Sequence, residues 1–139
     1  MSARSKARKR AIDLLYAADV RQIPLREALA TAAERAASEP QRESSWLYAR
    51  EIVDGVLDHG EEIDELIETY AQGWTLARMP AVDRAIIRIG VWETIFNDEV
   101  PDGVAISEAV ESAVALSTDD SAGFVNGLLA KIAQTRPSA

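Results

Sequence analysis

The chain has 139 residues, a formal net charge of -8, no cysteine and one histidine. Without cysteine it has no disulfide, thiolate nucleophile or Cys-ligated metal, and the single His59 argues against a histidine metal site or a Ser-His-Asp triad. The hydrophobic share of 47% and the length fit one globular domain, and no apolar run is long enough to span a bilayer, so we expect a soluble, cytoplasmic protein.

Four helices are predicted in the first half of the chain. Residues 4–19 carry apolar side chains at spacings of three and four, and residues 24–38 form an alanine-rich segment that begins with Pro24 and ends before Pro40. The same periodicity recurs in residues 43–59 and, after Gly60, in residues 61–72. Each segment has a one-sided apolar stripe, which is typical of helices that pack on a common core.

Three more helices are predicted in the second half. Residues 82–96 are apolar around most of the helix circumference, which predicts the central, most buried helix. Residues 99–104 are predicted to form a loop and residues 105–117 another amphipathic helix. The last helix contains Phe124 and ends before Pro137. The predicted fold is an all-α bundle of about seven helices.

Positive charge is concentrated at the start of the chain. Five of the fifteen Lys and Arg residues lie in the first ten positions, namely Arg4, Lys6, Arg8, Lys9 and Arg10, so the remaining residues carry a charge of -13. A solvated helix end is the ordinary interpretation of such a run. However, cations in a first helical turn oppose the helix dipole, each at a cost of about 0.3–1 kcal/mol. A negatively charged partner explains the placement.

Tyr16 lies roughly 160° from the centre of the apolar stripe of its helix, on the side of Lys9 and Ile12. An aromatic ring beside cations suits single-stranded RNA, because the cations bind phosphates and the ring stacks on a base. Packing of Tyr16 against a neighbouring helix is an equally good interpretation of the spacing.

Other polar residues that could belong to a functional site can also be explained by a structural role. Ser117 and Asp120 have the spacing of a capping box, which is a better explanation of Asp120 than a metal site. Asn126 lies off the stripe of the last helix, where it either satisfies backbone groups or hydrogen-bonds a base. No phosphate-binding loop or nucleophile motif is present, so we expect neither an enzyme nor a cofactor.

Four collinear motifs resemble the NusB family of bacterial transcription antitermination factors. They are ARKRAIDLLYAADV, PAVDRAIIRIGVWE, VPDGVAISEAVESA and STDDSAGFVNGLLAKI, and together they cover nearly the whole chain. The resemblance implies one all-α domain over 1–139, with helical halves at roughly 1–59 and 60–136 and a short tail at 137–139. The same domain precedes some RNA cytosine methyltransferases, and the length here favours the free-standing factor.

The resemblance also implies a function without catalysis. The family binds the boxA element of nascent RNA together with NusE, a small-subunit ribosomal protein. The assembly then joins NusA, NusG and RNA polymerase, chiefly on ribosomal RNA operons. A helical protein-binding module or homodimer without direct RNA contact is the alternative that the residues leave open.

Residue by residue, the resemblance implies the following contacts. The RNA-binding residues are Arg4, Lys6, Arg8, Lys9, Arg10, Tyr16, Tyr70, Asp120, Phe124 and Asn126, and Asp83 is expected on the NusE side. Ser5 interrupts the basic run and lysine occupies two of its positions, where a point charge replaces the planar fork of arginine. Five phosphate contacts predict a log–log salt slope of about -3.5 for RNA binding.

Overall fold

A computed structural model describes residues 2–136, and the predicted tail at 137–139 lies outside these residues. The described chain contains seven α-helices and no strand, which confirms the all-α prediction. The helices are α1 (Ala3–Arg21), α2 (Leu25–Ala37), α3 (Glu43–Asp58), α4 (Gly60–Tyr70), α5 (Ala81–Val91), α6 (Asp102–Leu116) and α7 (Asp119–Ala133). Short 3₁₀ turns precede α3 (Pro40–Arg42) and α5 (Leu76–Arg78), and a π-helical turn follows α5 (Trp92–Phe96).

Helix α1 lies between α3 and α5. Ser2 caps its first turn by accepting a hydrogen bond from the amide of Ser5 at 3.0 Å, and no acidic side chain lies in that turn. Helical periodicity predicts that Ile12 lies on the exposed side of α1, and this prediction is wrong. Ile12 is 3% exposed and lines a small cavity with Ile86 and Ile89 of α5. Two neighbouring helices bury a wider arc of α1 than one apolar stripe predicts.

Helix α5 is the central helix, as its apolar circumference predicts. Ile86, Ile87 and Val91 are buried completely or nearly so. The π-helical turn then places Trp92 against α3, where Gly55 leaves room for its indole ring. A Cβ atom built on Gly55 would lie 1.9 Å from the indole nitrogen of Trp92.

Helix α6 begins earlier than expected. The predicted loop at 99–104 ends at Pro101, which is the N-cap of α6, and Asp102 opens the first turn. Proline supplies a fixed φ at this boundary and an acidic first residue suits the positive end of the helix dipole, so Pro101 and Asp102 form a helix start.

One hydrophobic cluster extends from Ala7 to Ile132 and draws side chains from every α-helix. Helices α1, α2 and α3 pack on one another, as do α5, α6 and α7, while α1 also packs on α5. The boundary between the predicted halves at residues 59 and 60 stays a prediction. None of the described helices is both long and apolar enough to cross a membrane.

Candidate nucleic-acid interface

A groove of about 500 Å³ separates the start of α1 from the 3₁₀ turn and first turn of α3. Lys6 and Lys9 are exposed on its α1 wall, and Arg10 is half-buried there. Helical spacing explains the convergence, because residues three and four apart lie on one face of a helix. Three of the five predicted phosphate-binding cations therefore share one concave surface.

Arg10 joins the two walls of the groove. Its Nη1 group donates hydrogen bonds to Ser45 Oγ at 3.1 Å and to the carbonyl oxygen of Arg42 at 3.4 Å, and its guanidinium lies 5.5 Å from the ring centre of Trp46. Partial burial and the nearby charge of Arg42 lower the pKa of Arg10. Positive charge is therefore crowded in this groove.

Asp13 is the one acid among the described residues that line this groove. Desolvation raises the pKa of its carboxyl group, although the charge of Lys9 acts in the opposite direction. The same groove holds four cationic side chains, so its local charge is opposite in sign to that of the whole protein. Such a concave positive surface attracts polyanions.

The buried position of Arg8 does not fit the predicted contact with an RNA phosphate. Arg8 is 5% exposed, and its Nε and Nη2 groups donate hydrogen bonds of 2.8 and 2.9 Å to the two carboxylate oxygens of Glu93. Burial alone would lower the pKa of Arg8, but the hydrogen bond and negative charge of Glu93 prevail and raise it. A guanidinium held by a buried carboxylate is not free to bind RNA.

Arg4 stands on the opposite side of α1 from the groove. Its guanidinium lies 4.6 Å from the ring centre of Tyr48 and 3.5 Å from the carboxylate of Glu99. Both charged side chains are substantially exposed, so the pair is weak and open to exchange. Arg4 stays a predicted RNA contact, outside the groove.

A second concave surface, the aromatic cleft, lies between α4, α7 and the segment that precedes α5. Tyr70, Trp74 and Phe124 line it together, and the rings of Trp74 and Phe124 are 6.3 Å apart and tilted by 56°. Trp74 is 52% exposed, an unusual state for so large an apolar side chain. The structure therefore brings Tyr70 and Phe124 together on one concave surface.

Asp120 and Phe124 also line a neighbouring cavity of about 380 Å³. Asp120 is exposed in the first turn of α7, but the predicted capping box is wrong because Thr118 is the N-cap and has no side-chain capping bond. Asn126 is exposed on α7, and Tyr16 is 44% exposed on α1. Among the described residues, neither side chain lines the groove or the aromatic cleft.

The buried position of Asp83 likewise does not fit the predicted contact with NusE. Asp83 is 4% exposed, and its carboxylate accepts hydrogen bonds from Ser117 at 2.6 Å and Ser121 at 2.8 Å. The side chain thus fastens α5 to the junction of α6 and α7. A carboxylate enclosed in this way does not present its oxygens to a partner protein.

Trp74 and Arg42 are two prominent residues of these surfaces that sequence reasoning missed. Trp74 lies in a connection between helices, where periodicity assigns no face. The signal available for it was a tryptophan directly after Gly73 in a connection between helices, since connections lie on the surface. Arg42 is distant in sequence from the basic start and reaches the groove only through packing of α3 on α1.

The segment that carries Trp74 is anchored by Arg84. Its Nη1 group donates hydrogen bonds to the carbonyl oxygens of Leu76 at 2.9 Å and Met79 at 2.7 Å, while its Nε group donates to Asp19 of α1 at 2.8 Å. This arginine ties the connection to both α5 and α1. The connection is thereby held at Leu76 and Met79, on the C-terminal side of Trp74.

These features define a class of protein: an all-α domain with a cationic groove on an acidic chain and a separate exposed aromatic cleft. The model of the NusB family matches residues 5–134, and the chain belongs to this family. It is similar to two proteins called transcription antitermination protein NusB. The one from Leifsonia xyli subsp. xyli is 82% identical, covering 99% of this chain and 95% of the relative. The one from Clavibacter sepedonicus is 65% identical, covering 96% and 97%.

Solved structures of the family have the same fold. NusB of T. maritima superposes with a TM-score of 0.82 at 29% identity, covering 97% of this chain and 93% of that chain. A crystal structure of the antitermination factors NusB and NusE in complex with dsRNA gives a TM-score of 0.80 at 28% identity, covering 97% and 98%. The similarity thus extends over the whole helical domain.

Proposed function

We propose that this protein is a transcription antitermination factor that binds boxA RNA of nascent transcripts together with NusE. The assembly would then join NusA, NusG and RNA polymerase, notably during transcription of ribosomal RNA operons. The observation that carries the proposal is the cationic groove of α1, because an acidic protein gains nothing in solubility from such a cluster. Family membership and the NusB–NusE–RNA complex of a structural relative support it.

The groove would bind the RNA backbone. Lys6 and Lys9 have exposed ammonium groups, and Arg10 keeps its Nε and Nη2 groups free of hydrogen bonds within the described chain. Arg4 would add a contact outside the groove, on the other side of α1, once its weak bridge to Glu99 opens. Four such contacts predict a log–log salt slope of about -2.8, from roughly -0.7 for each contact with a single strand.

The aromatic side chains would bind bases. Tyr70 and Phe124 line the aromatic cleft, and Tyr16 offers a further exposed ring on α1. Stacking on such rings tolerates sequence variation, whereas Asn126 and Asp120 offer hydrogen-bonding groups that distinguish base edges. These contacts would supply the selectivity that phosphate binding lacks.

The proposed mechanism is assembly without a chemical step. RNA and NusE each bind the factor, and simultaneous binding strengthens both contacts by thermodynamic linkage. We propose that this takes place in the cytoplasm, where nascent bacterial RNA is made. Asp83 would not contribute to NusE binding, since its carboxylate is enclosed by Ser117 and Ser121.

The test is a titration of boxA RNA over a series of salt concentrations, with and without NusE. The triple variant K6A/K9A/R10A should lose affinity and about 2 units of salt slope, from three lost contacts at roughly 0.7 each. Its helical circular dichroism should stay as in the wild type, because the two lysines are exposed and Arg10 is only half-buried.

A matched control separates the position of the charges from their number. Arg21, Arg26 and Arg35 are exposed on α1 and α2, outside the groove, and their triple alanine variant has the same net charge as K6A/K9A/R10A. Equal losses in the two triple variants would overturn the groove as the binding site. A wild-type protein that fails to bind boxA RNA at low salt, with NusE present, would overturn the function itself.

A further inference from the structure

The second wall of the groove carries an arginine that belongs to no basic run. Arg42 ends the 3₁₀ turn before α3, is exposed, and lines the groove opposite Lys6 and Lys9. Its backbone is held in place, since its carbonyl oxygen accepts hydrogen bonds from Arg10 at 3.4 Å and from Ser45 Oγ at 3.1 Å. The backbone at Arg42 is therefore tied to the α1 wall through Arg10.

The charges of Arg42 and Arg10 are unfavourably close in the free protein. The nearby charge of Arg42 contributes to the lowered pKa of Arg10. Arg42 has one acidic partner among the described residues, Glu39, whose carboxylate lies 3.2 Å from its Nη1 group. An anion placed between the two walls would relieve the repulsion of the arginines and replace Glu39 as a partner.

We propose that the RNA backbone runs between the two walls of the groove, with Arg42 binding a phosphate opposite the α1 cations and Glu39 competing for Arg42 in the free protein. This inference rests on the proposed RNA-binding function and deepens it. The occupant follows from charge complementarity, because four cations and a single acid line the groove. Ser44, exposed on the same wall, offers a hydroxyl group to the same backbone.

Removing the charge of Arg42 and removing that of Glu39 should change the affinity for RNA in opposite directions. Arg42→Ala should weaken binding of boxA RNA and reduce the magnitude of the log–log salt slope by about 0.7, the value of one phosphate contact with a single strand. Glu39→Gln removes the competing carboxylate and keeps the size of the side chain, so it should tighten binding. A double variant R42A/E39Q should lose the benefit of E39Q, because the competition exists only while Arg42 is present.

Arg50 provides the matched control. Its side chain has the same 56% exposure as that of Arg42, and it also faces an acid, Asp54, at 3.8 Å, but it does not line the groove. Arg50→Ala therefore changes net charge and breaks an exposed pair as Arg42→Ala does. It should leave the salt slope unchanged.

The outcomes separate this inference from the function on which it rests. If wild-type protein binds boxA RNA but R42A and R50A have the same affinity and slope, the second wall is not part of the RNA site. If E39Q fails to tighten binding, the proposed competition is wrong. If R42A weakens binding of NusE alone and leaves RNA binding intact, the wall belongs to a protein interface and the inference is overturned. Absence of RNA binding by the wild type would instead refute the proposed function.

Discussion

The guanidinium of Arg8 and the carboxylate of Glu93 form a two-point ion pair inside the protein, with N–O distances of 2.8 and 2.9 Å. Tyr48 completes the site by donating a hydrogen bond of 2.6 Å from its hydroxyl to Glu93, and burial raises the pKa of that hydroxyl. The pair joins α1 to the π-helical turn after α5. It thereby fixes the helix from which Lys6, Lys9 and Arg10 project.

Arg8→Ala should reduce the free energy of unfolding by about 3–5 kcal/mol, because it leaves the Glu93 carboxylate buried without a counter-charge. Arg4→Ala is the control, since it removes another arginine of the same segment whose pair with Glu99 is exposed. That change should cost less than about 1 kcal/mol. Urea denaturation measures both. Equal losses for the two variants would show that the Arg8–Glu93 pair has no special stabilising role.

Asp13→Asn should tighten RNA binding, because it removes the negative charge that lines the groove. The folded-state pKa of Asp13 is raised above 3.8, so protonation of its carboxyl group favours the folded state. This contribution to stability is fully present below pH 3.8 and is lost as the pH rises through the raised pKa. RNA affinity should accordingly rise as pH falls toward that pKa. The D13N variant should lose this part of the pH dependence. Identical pH profiles for wild type and D13N would contradict the role of Asp13.

Trp74→Ala should weaken RNA binding by about 1–3 kcal/mol if the exposed indole stacks on one base. Trp74→Phe is the matched variant, because it keeps an aromatic face at the same position and should retain most of the affinity. Fluorescence anisotropy of labelled boxA RNA measures both. The salt slope should stay unchanged in each variant, since stacking releases no counterions. Equal affinities of W74A and W74F would exclude stacking.

Gly55→Ala should destabilise the protein by about 1–3 kcal/mol or more, because its Cβ would overlap the indole of Trp92. Gly123→Ala is the control within a helix, since a Cβ there meets nothing within 4 Å. It should stabilise the protein by roughly 0.5–1 kcal/mol through the better helix propensity of alanine. Thermal unfolding of the two variants should therefore shift in opposite directions. A stable G55A protein would contradict the close packing of α3 on Trp92.

The predicted helices illustrate what local patterning decides. Each of the seven described α-helices begins or ends within a few residues of a predicted bound, because the apolar period and the proline positions act locally. The start of α6 was missed since Pro101 and Asp102 fit both a loop and a helix N-terminus. Such boundaries depend on which alternative packs better.

Some features of the candidate site can likewise be predicted from the sequence, and others depend on tertiary packing. The concentration of cations at the start of α1 and the prominence of Phe124 are properties of the sequence itself. Which cations are available for binding is not, because Arg8 and Lys9 are neighbours with opposite surroundings: Arg8 is buried against Glu93 and Lys9 is exposed. A residue 85 positions away determines that difference.

The sequence by itself thus determined the helical fold, the distribution of charge along the chain and the family, since periodicity, composition and motifs are carried by residues close together in the chain. The tertiary structure alone decided that Arg8 and Asp83 serve the interior, that Arg42 faces Lys6 and Lys9, and that Trp74 lies beside Phe124. The physical reason is that burial, ion pairing and groove formation depend on contacts between distant segments. A one-dimensional pattern records no such contacts.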